Sequence, residues 1–124
     1  MKTPVQCTIC LGSNYGPDVN INKARISLKQ HFPDIVFGHP VITPSEGDTT
    51  APDYTNQAAR FTSTLSIPEI KLIFKDIEAE CGRTPQSKST GLIPLDIDLL
   101  IYGSTIVKPR DLNTSYVQKA LSSI

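Results

Sequence analysis

What the sequence lacks narrows it first. It has no run of about eighteen apolar residues, so no segment can cross a bilayer as a helix. It has no excess of either charge: 12 Lys and Arg stand against 12 Asp and Glu, for a formal net charge of zero. That balance gives no electrostatic reason to expect a nucleic acid or membrane partner. A small anionic ligand is still allowed, because it needs only a local patch or a metal. The opening Met1-Lys2-Thr3-Pro4 lacks the apolar stretch and small-residue cleavage site of a secretory signal.

Cysteine is scarce and odd in number, at Cys7, Cys10 and Cys81. Reduced thiols in a cytoplasmic setting are therefore expected. Cys7-x-x-Cys10 has the spacing of a zinc or redox pair, but no second Cys or His pair follows at zinc-like spacing. In a strand, such a spacing also sends the two thiols to opposite faces. They read as small core or surface residues. There is no internal repeat and no low-complexity segment. With 124 residues, 39% hydrophobic and 19% charged, the chain is expected to form one globular domain over 1–124.

What is present is a regular alternation of periods. Val5, Cys7, Ile9 and Leu11 alternate with polar or small residues, which predicts a first strand. Turn residues 12–17 end it. Ile21, Ala24, Leu28 and Phe32 recur at helical spacing, with Asp18 or Asn20 as candidate caps and Pro33 as the stop. Residues 35–41 predict a second strand and 54–65 a third. Ser66-x-x-Glu69 is a capping box with Pro68 in the first turn. Ile70, Ile73, Phe74, Ile77 and Cys81 follow as one apolar stripe, and Gly82 is the natural end of that helix. Residues 95–102 predict a last strand, and the tail after Gly103 is weakly patterned.

Strand, helix, strand, strand, helix, strand is the split βαβ order of ferredoxin-like α+β folds, an antiparallel sheet with helices on one face. Two polar loops, 43–52 and 83–94, approach the length of about a dozen residues beyond which loops are uncommon without a function.

The segment richest in chemistry is Leu95-Asp96-Ile97-Asp98-Leu99-Leu100-Ile101-Tyr102. Residues two apart in a strand share a face, so Asp96 and Asp98 point one way, and Leu95, Ile97, Leu99 and Ile101 point into the core. Two carboxylates about 7 Å apart along a strand repel unless a cation bridges them. Mg²⁺, a hard ion that favours oxygen ligands, water and phosphate, is the obvious bridge. An isolated pair of this kind is ordinarily a solvated strand face. This one opens the most hydrophobic strand of the chain, directly after one of the two suspect loops.

Tyr54 and Asn56 share a face of the third strand by the same rule, behind Pro52-Asp53. Tyr54 can stack on a flat heterocycle, and Asn56 offers donors and an acceptor. Alone, the pair is more simply an edge residue and a turn cap. Leu11-Gly12-Ser13-Asn14 could be only a tight turn; it has neither a Walker A lysine nor a full G-x-G-x-x-G.

Taken in order, these segments resemble the 6-hydroxymethyl-7,8-dihydropterin pyrophosphokinase family. The resemblance runs from residue 5 to about 110: Leu11-Gly12-Ser13-Asn14, Thr43-Pro44, Pro52-Asp53-Tyr54-x-Asn56, Ile77-Glu78-x-x-x-Gly82-Arg83 and Leu95 to Gly103. It implies a ferredoxin-like fold and transfer of pyrophosphate from ATP to the hydroxymethyl oxygen of a reduced pterin, in folate biosynthesis. It implies that Asp96 and Asp98 hold two Mg²⁺ ions with ATP. It places Thr43, Pro44, Ser45, Tyr54 and Asn56 at the pterin. It places Arg83 among the catalytic groups, and Glu78, Lys75, Lys88 and Arg110 near the nucleotide. ATP and a reduced pterin are the implied partners, and a monomer or weak homodimer the expected state.

The chain departs from the family pattern in its basic loop. The family's Gly-Pro-Arg is Gly91-Leu92-Ile93-Pro94 here, which leaves Ile93 at the arginine position. Pro85 and Ser89 occupy other basic positions, Thr90 its tryptophan, Lys75 a usual Gln, and Pro109-Arg110 its Pro-His. Tyr116 is nearest to its closing aromatic. Arg83, Lys75, Lys88 and Arg110 are the candidates to stand in, although lysine lacks the bidentate fork. Three readings stay open: a divergent pyrophosphokinase, a pterin- or nucleotide-binding homologue of weak or no activity, and a ligand-free interaction domain.

Overall fold

A computed structural model describes residues 3–44 and 52–124. The central strand, β1 (Val5–Ser13), pairs antiparallel with β4 (Tyr54–Ser63) on one side and β5 (Asp96–Tyr102) on the other. Two short strands, β2 (Val36–Phe37) and β3 (Val41–Thr43), both pair with β4, and β6 (Thr105–Ile106) pairs with β5. The spatial order β2-β4-β1-β5-β6 is the ferredoxin-like arrangement that the element order predicts.

The two long helices, α1 (Pro17–His31) and α2 (Ile67–Glu80), cover one face of this sheet. Their predicted stripes are what they bury. Ile21, Ala24, Leu28, Phe32, Ile70, Phe74 and Ile77 pack with Cys7, Ile9 and Leu11 of β1 and with Leu95, Ile97 and Leu99. Phe32 stacks on Phe61 of β4 with ring centroids 3.9 Å apart, and Phe74 meets Phe32 edge-on at 6.5 Å. The tail adds what its weak pattern did not announce. After the short helices α3 (Ser87–Thr90) and α4 (Pro109–Leu112), helix α5 (Ser115–Leu121) lays Val117 and Ala120 against Cys10, Ala58 and Leu100 on the other face. That cover explains why Cys10 is buried on the face opposite the main core, whereas Cys7 and Cys81 are buried within that core; all three thiols are free.

Several local expectations shift. The strand expected over 35–41 is interrupted at Gly38-His39-Pro40. Proline cannot donate to a ladder, and the Gly38 amide and carbonyl bond instead to the Ala58 carbonyl and the Gln57 side chain. Helix α1 is not capped by Asp18 or Asn20. Its cap position is Gly16 in the left-handed region (φ 56°), and the Asn20 amide donates to the Tyr15 carbonyl at 2.7 Å from inside the helix. In β5 a bulge at Leu100, against Thr8/Ile9, reverses the alternation after that residue. Ile101 therefore turns to the α5 face, not to the main core as its position two after Leu99 suggests, and Tyr102 takes the core side with its hydroxyl on the Leu65 carbonyl at 2.8 Å.

The capping box forms as predicted: Ser66 accepts from the Glu69 amide and Glu69 accepts from the Ser66 amide. Ser66→Ala should cost about 1 kcal/mol of unfolding free energy. Phe61→Ala, which empties the stacked core, should cost about 3–5 kcal/mol. Urea denaturation of the two variants checks both values and their order.

Candidate active site

The site is assembled where β1, β4 and β5 run side by side. Asp96 lies opposite Gly12 and Asp98 opposite Cys10. Small residues beside both acids leave room on that face. A side chain at position 12 would meet Asn56 Oδ1 at 3.4 Å and the Tyr54 ring at 3.8 Å, ordinary contact distances that set both groups against the strand beside Asp96.

The turn after β1 has a further task. Asn14, 3% exposed, donates through Nδ2 to the Gly91 carbonyl at 2.8 Å and accepts from the Ile93 amide at 2.6 Å. Its own amide donates to the Ile93 carbonyl at 3.0 Å. The segment that delivers the chain into β5 is thus clamped to the end of β1 by both peptide groups of Ile93. The Ile93 side chain is 8% exposed, a setting that suits an apolar group.

Two cavities open on either side of the acids. The smaller, about 190 Å³, is lined by Gly12, Thr43, Pro44, Tyr54 and Asn56, with Val117 of α5 closing it. The larger, about 630 Å³, is lined by Lys75, Glu78, Arg83, Ile93 and Lys108. Tyr54, Asp96, Asp98, Asp111 and Tyr116 line both, so the carboxylate pair sits at their junction.

Within the smaller cavity Asn56, nearly fully buried, donates to Thr43 Oγ1 at 3.0 Å and to the Val41 carbonyl at 3.4 Å. Those bonds orient its carboxamide. Within the larger, Arg83 is fixed by one nitrogen. Nη1 donates to Asp96 Oδ1 at 2.7 Å, to the Leu95 carbonyl at 3.2 Å and to Glu78 Oε2 at 3.3 Å. The same Glu78 oxygen accepts from the Ile97 amide at 2.9 Å. Burial raises the Glu78 pKa, opposed by the Ile97 amide and the Arg83 charge. Glu78 thus spends its carboxylate on seating Arg83 and β5.

The two acids differ electrostatically. Burial pushes Asp98 up to about 7, reinforced by the hydrogen bond and charge of Asp96 and opposed by Lys108. Burial acts on Asp96 as well, yet hydrogen bonds from Asp98 and Arg83 and the charges of Arg83 and Lys108 hold it below its ordinary value. Two half-buried acids at this separation resist full ionisation without more positive charge. Among the described residues no group of three or more His, Cys, Asp or Glu side chains forms a complete metal cage. A pair of carboxylates facing open cavities fits Mg²⁺, which is commonly held by one or two carboxylates and completed by water and phosphate oxygens.

Most of the residues singled out from the sequence converge here: Thr43, Pro44, Tyr54 and Asn56 at the smaller cavity, Lys75, Glu78 and Arg83 at the larger, and Asp96 and Asp98 between them. Arg110 does not. It is exposed on α4 and lines neither cavity. Lys88 lies in α3, its side chain outside the described set, and Ser45 lies outside the described residues. Sequence reasoning missed Lys108 and Asp111. Lys108 Nζ is 2.6 Å from Asp98 Oδ1 and 3.7 Å from Asp111 Oδ2. The only sequence signal for either is the charge run after β6, in which Lys108 and Asp111 flank the Pro109-Arg110 of the motif.

A ferredoxin-like α+β domain whose cleft centres on paired carboxylates is the class that this fold and site define. The chain belongs to the 7,8-dihydro-6-hydroxymethylpterin-pyrophosphokinase (HPPK) family, whose profile matches residues 8–124. It is 33% identical over 100 residues to a folate synthesis bifunctional protein of Arabidopsis thaliana, covering 79% of this chain and 21% of that protein. It is 31% identical over 104 residues to a mitochondrial folate synthesis bifunctional protein of the same plant, covering 82% and 19%. The chain thus spans about a fifth of the length of these curated relatives. No helix among the described residues is long and apolar enough to cross a membrane.

The clamp makes a direct prediction. Asn14→Ala should destabilise the fold by about 1–3 kcal/mol, because it leaves the buried Ile93 amide without its acceptor. Amide exchange at Ile93 should accelerate more than exchange at Ile9 in the core of β1.

Proposed function

We propose that residues 1–124 form one domain that transfers the pyrophosphoryl group of ATP to the hydroxymethyl oxygen of 6-hydroxymethyl-7,8-dihydropterin, a step of folate synthesis. The observation that carries this reading is the placement of Asp96 and Asp98 at the junction of two cavities of different character. The smaller offers a flat ring, Tyr54, and an oriented carboxamide, Asn56, which suit a planar heterocycle with a hydrogen-bonding edge. The larger offers Lys71, Lys75, Arg83 and Lys108, which suit a polyphosphate. Family membership supports both substrate assignments.

Asp96 and Asp98 are the residues that would hold the two Mg²⁺ ions, and the ions would supply neutralisation of the phosphate oxygens. The remaining work falls to the chain. Phosphoryl-type transfer depends mostly on positioning and charge stabilisation, with little covalent chemistry asked of the protein. Tyr54 and Asn56 orient the acceptor. Arg83, steadied by Glu78, presents a guanidinium beside Asp96 toward the phosphates. Tyr116 walls both cavities.

A second reading is favoured by Ile93. A buried apolar side chain stands where the family carries a phosphate-contacting arginine, so the same pockets could bind both ligands with slow turnover. Missing arginines of this kind are worth several kcal/mol at the transition state.

The deciding experiment follows AMP formed from ATP, Mg²⁺ and the reduced pterin. We expect turnover that is slow for a kinase and that falls by about three orders of magnitude or more in the Asp96→Ala/Asp98→Ala double variant. No AMP above that blank from folded protein would overturn the enzyme reading, and pterin binding by titration would then identify the binding homologue.

A further inference from the structure

The carboxylate pair already has a cation of its own, and it is held by a flexible stem. Lys108 Nζ lies 2.6 Å from Asp98 Oδ1, the nearest cation to that acid among the described residues, and 3.7 Å from Asp111 Oδ2. All three side chains are partly exposed and line the larger cavity. The backbone that carries Lys108 is anchored: the Val107 and Lys108 amides both donate to the Leu100 carbonyl, at 2.8 and 3.4 Å, and α4 begins at Pro109. The root is therefore fixed while the four-carbon stem is free to pivot between two acids. Asp96 is arranged differently. Its partner Arg83 is tied by the Leu95 carbonyl and Glu78 as well, so that cation cannot leave without breaking several bonds.

We propose that Lys108 is a resident, displaceable counter-ion: it occupies Asp98 when no divalent cation is bound and transfers to Asp111 when one takes Asp98. This rests on the metal-binding reading of Asp96 and Asp98. The exchange is one of cations only. The ammonium stays protonated, Asp98 passes from Lys108 to the metal, and Asp111, three residues on in α4, receives the ammonium. A lysine is suited to this and an arginine is not, because a compact ammonium on a flexible stem makes no bidentate fork with either acid. The moved ammonium stays within the larger cavity, which is lined by both of its partners, so its charge is kept where a polyphosphate would lie. The design separates a fixed cation at Asp96 from a yielding one at Asp98.

The test is titration of the protein with Mn²⁺ alone, read by electron paramagnetic resonance of the free ion, with no nucleotide or pterin present. Lys108→Met removes the competitor and should tighten Mn²⁺ binding by about two- to fivefold, the range that partly exposed ion pairs allow. Asp111→Asn removes the receiving acid and should weaken binding in the wild-type background. It should have no effect in the Lys108→Met background if Asp111 acts through the ammonium, a dependence that a double-mutant cycle isolates. Unchanged or weaker Mn²⁺ binding in Lys108→Met would overturn the proposal and leave the metal site standing. An equal effect of Asp111→Asn in both backgrounds would overturn the transfer to Asp111. Absence of Mn²⁺ binding in wild type and Lys108→Met alike would overturn this proposal and leave standing only a metal site that nucleotide phosphates complete.

Discussion

Two carboxylates on one face of a half-buried strand demand positive charge, and much of the structure around them answers that demand. Asp96 is met by Arg83 and Asp98 by Lys108. Arg83 in turn requires Glu78, which sits in the last turns of α2 and also takes the free amide of Ile97. One electrostatic constraint thus ties the end of α2, the start of β5 and the segment after β6 into a single network. Burial alone would drive both acids toward neutrality; the hydrogen bond between them, with Arg83 beside Asp96, holds Asp96 below its ordinary value and leaves Asp98 raised in spite of Lys108. That asymmetry belongs to a site that gains from further cations.

The loop that leads into this strand is held by hydrogen bonds and not by charge. Asn14 uses its main chain and both ends of its carboxamide to grip Gly91 and Ile93. Strand β1 runs through Gly12 and Ser13, and Asn14 just past its end is therefore a structural clasp that sets where β5 begins. Ile93 becomes intelligible in the same terms. Its peptide groups are engaged by the clasp and its side chain is largely withdrawn from water, so an apolar residue is stable there. Under the proposed function, phosphate recognition would rely on Arg83 and on lysines that lack a bidentate fork.

Much of the fold was legible because its periods are clean. The stripes Ile21-Ala24-Leu28-Phe32 and Ile70-Phe74-Ile77 are the ones buried, and the Ser66/Glu69 box caps α2 as read. Failures came where tertiary geometry overrode period. Nothing local marks the bulge that turns Ile101 away from the core. Nothing in the tail's weak pattern announces that Val117 and Ala120 cover the second face, because a seven-residue helix with two buried contacts leaves little periodic signal. Charge and motif position mark Arg110 and give no sign of Lys108, because the direction of each side chain depends on how the chain leaves β6 and enters α4.

The sequence by itself determined the ferredoxin-like order of elements, the core stripes, the shared face of Asp96 and Asp98, and the pairing of Tyr54 with Asn56. These follow from local periodicity, which is written residue by residue. Only the tertiary structure decided that those pairs flank one junction between two cavities, that Glu78 serves Arg83, that Asn14 clasps Ile93, and that Lys108 sits on Asp98. Those are contacts between segments far apart in the chain or set by a turn's exact path. No spacing encodes them, because they depend on the register of β1 against β5 and on the helices that close each face.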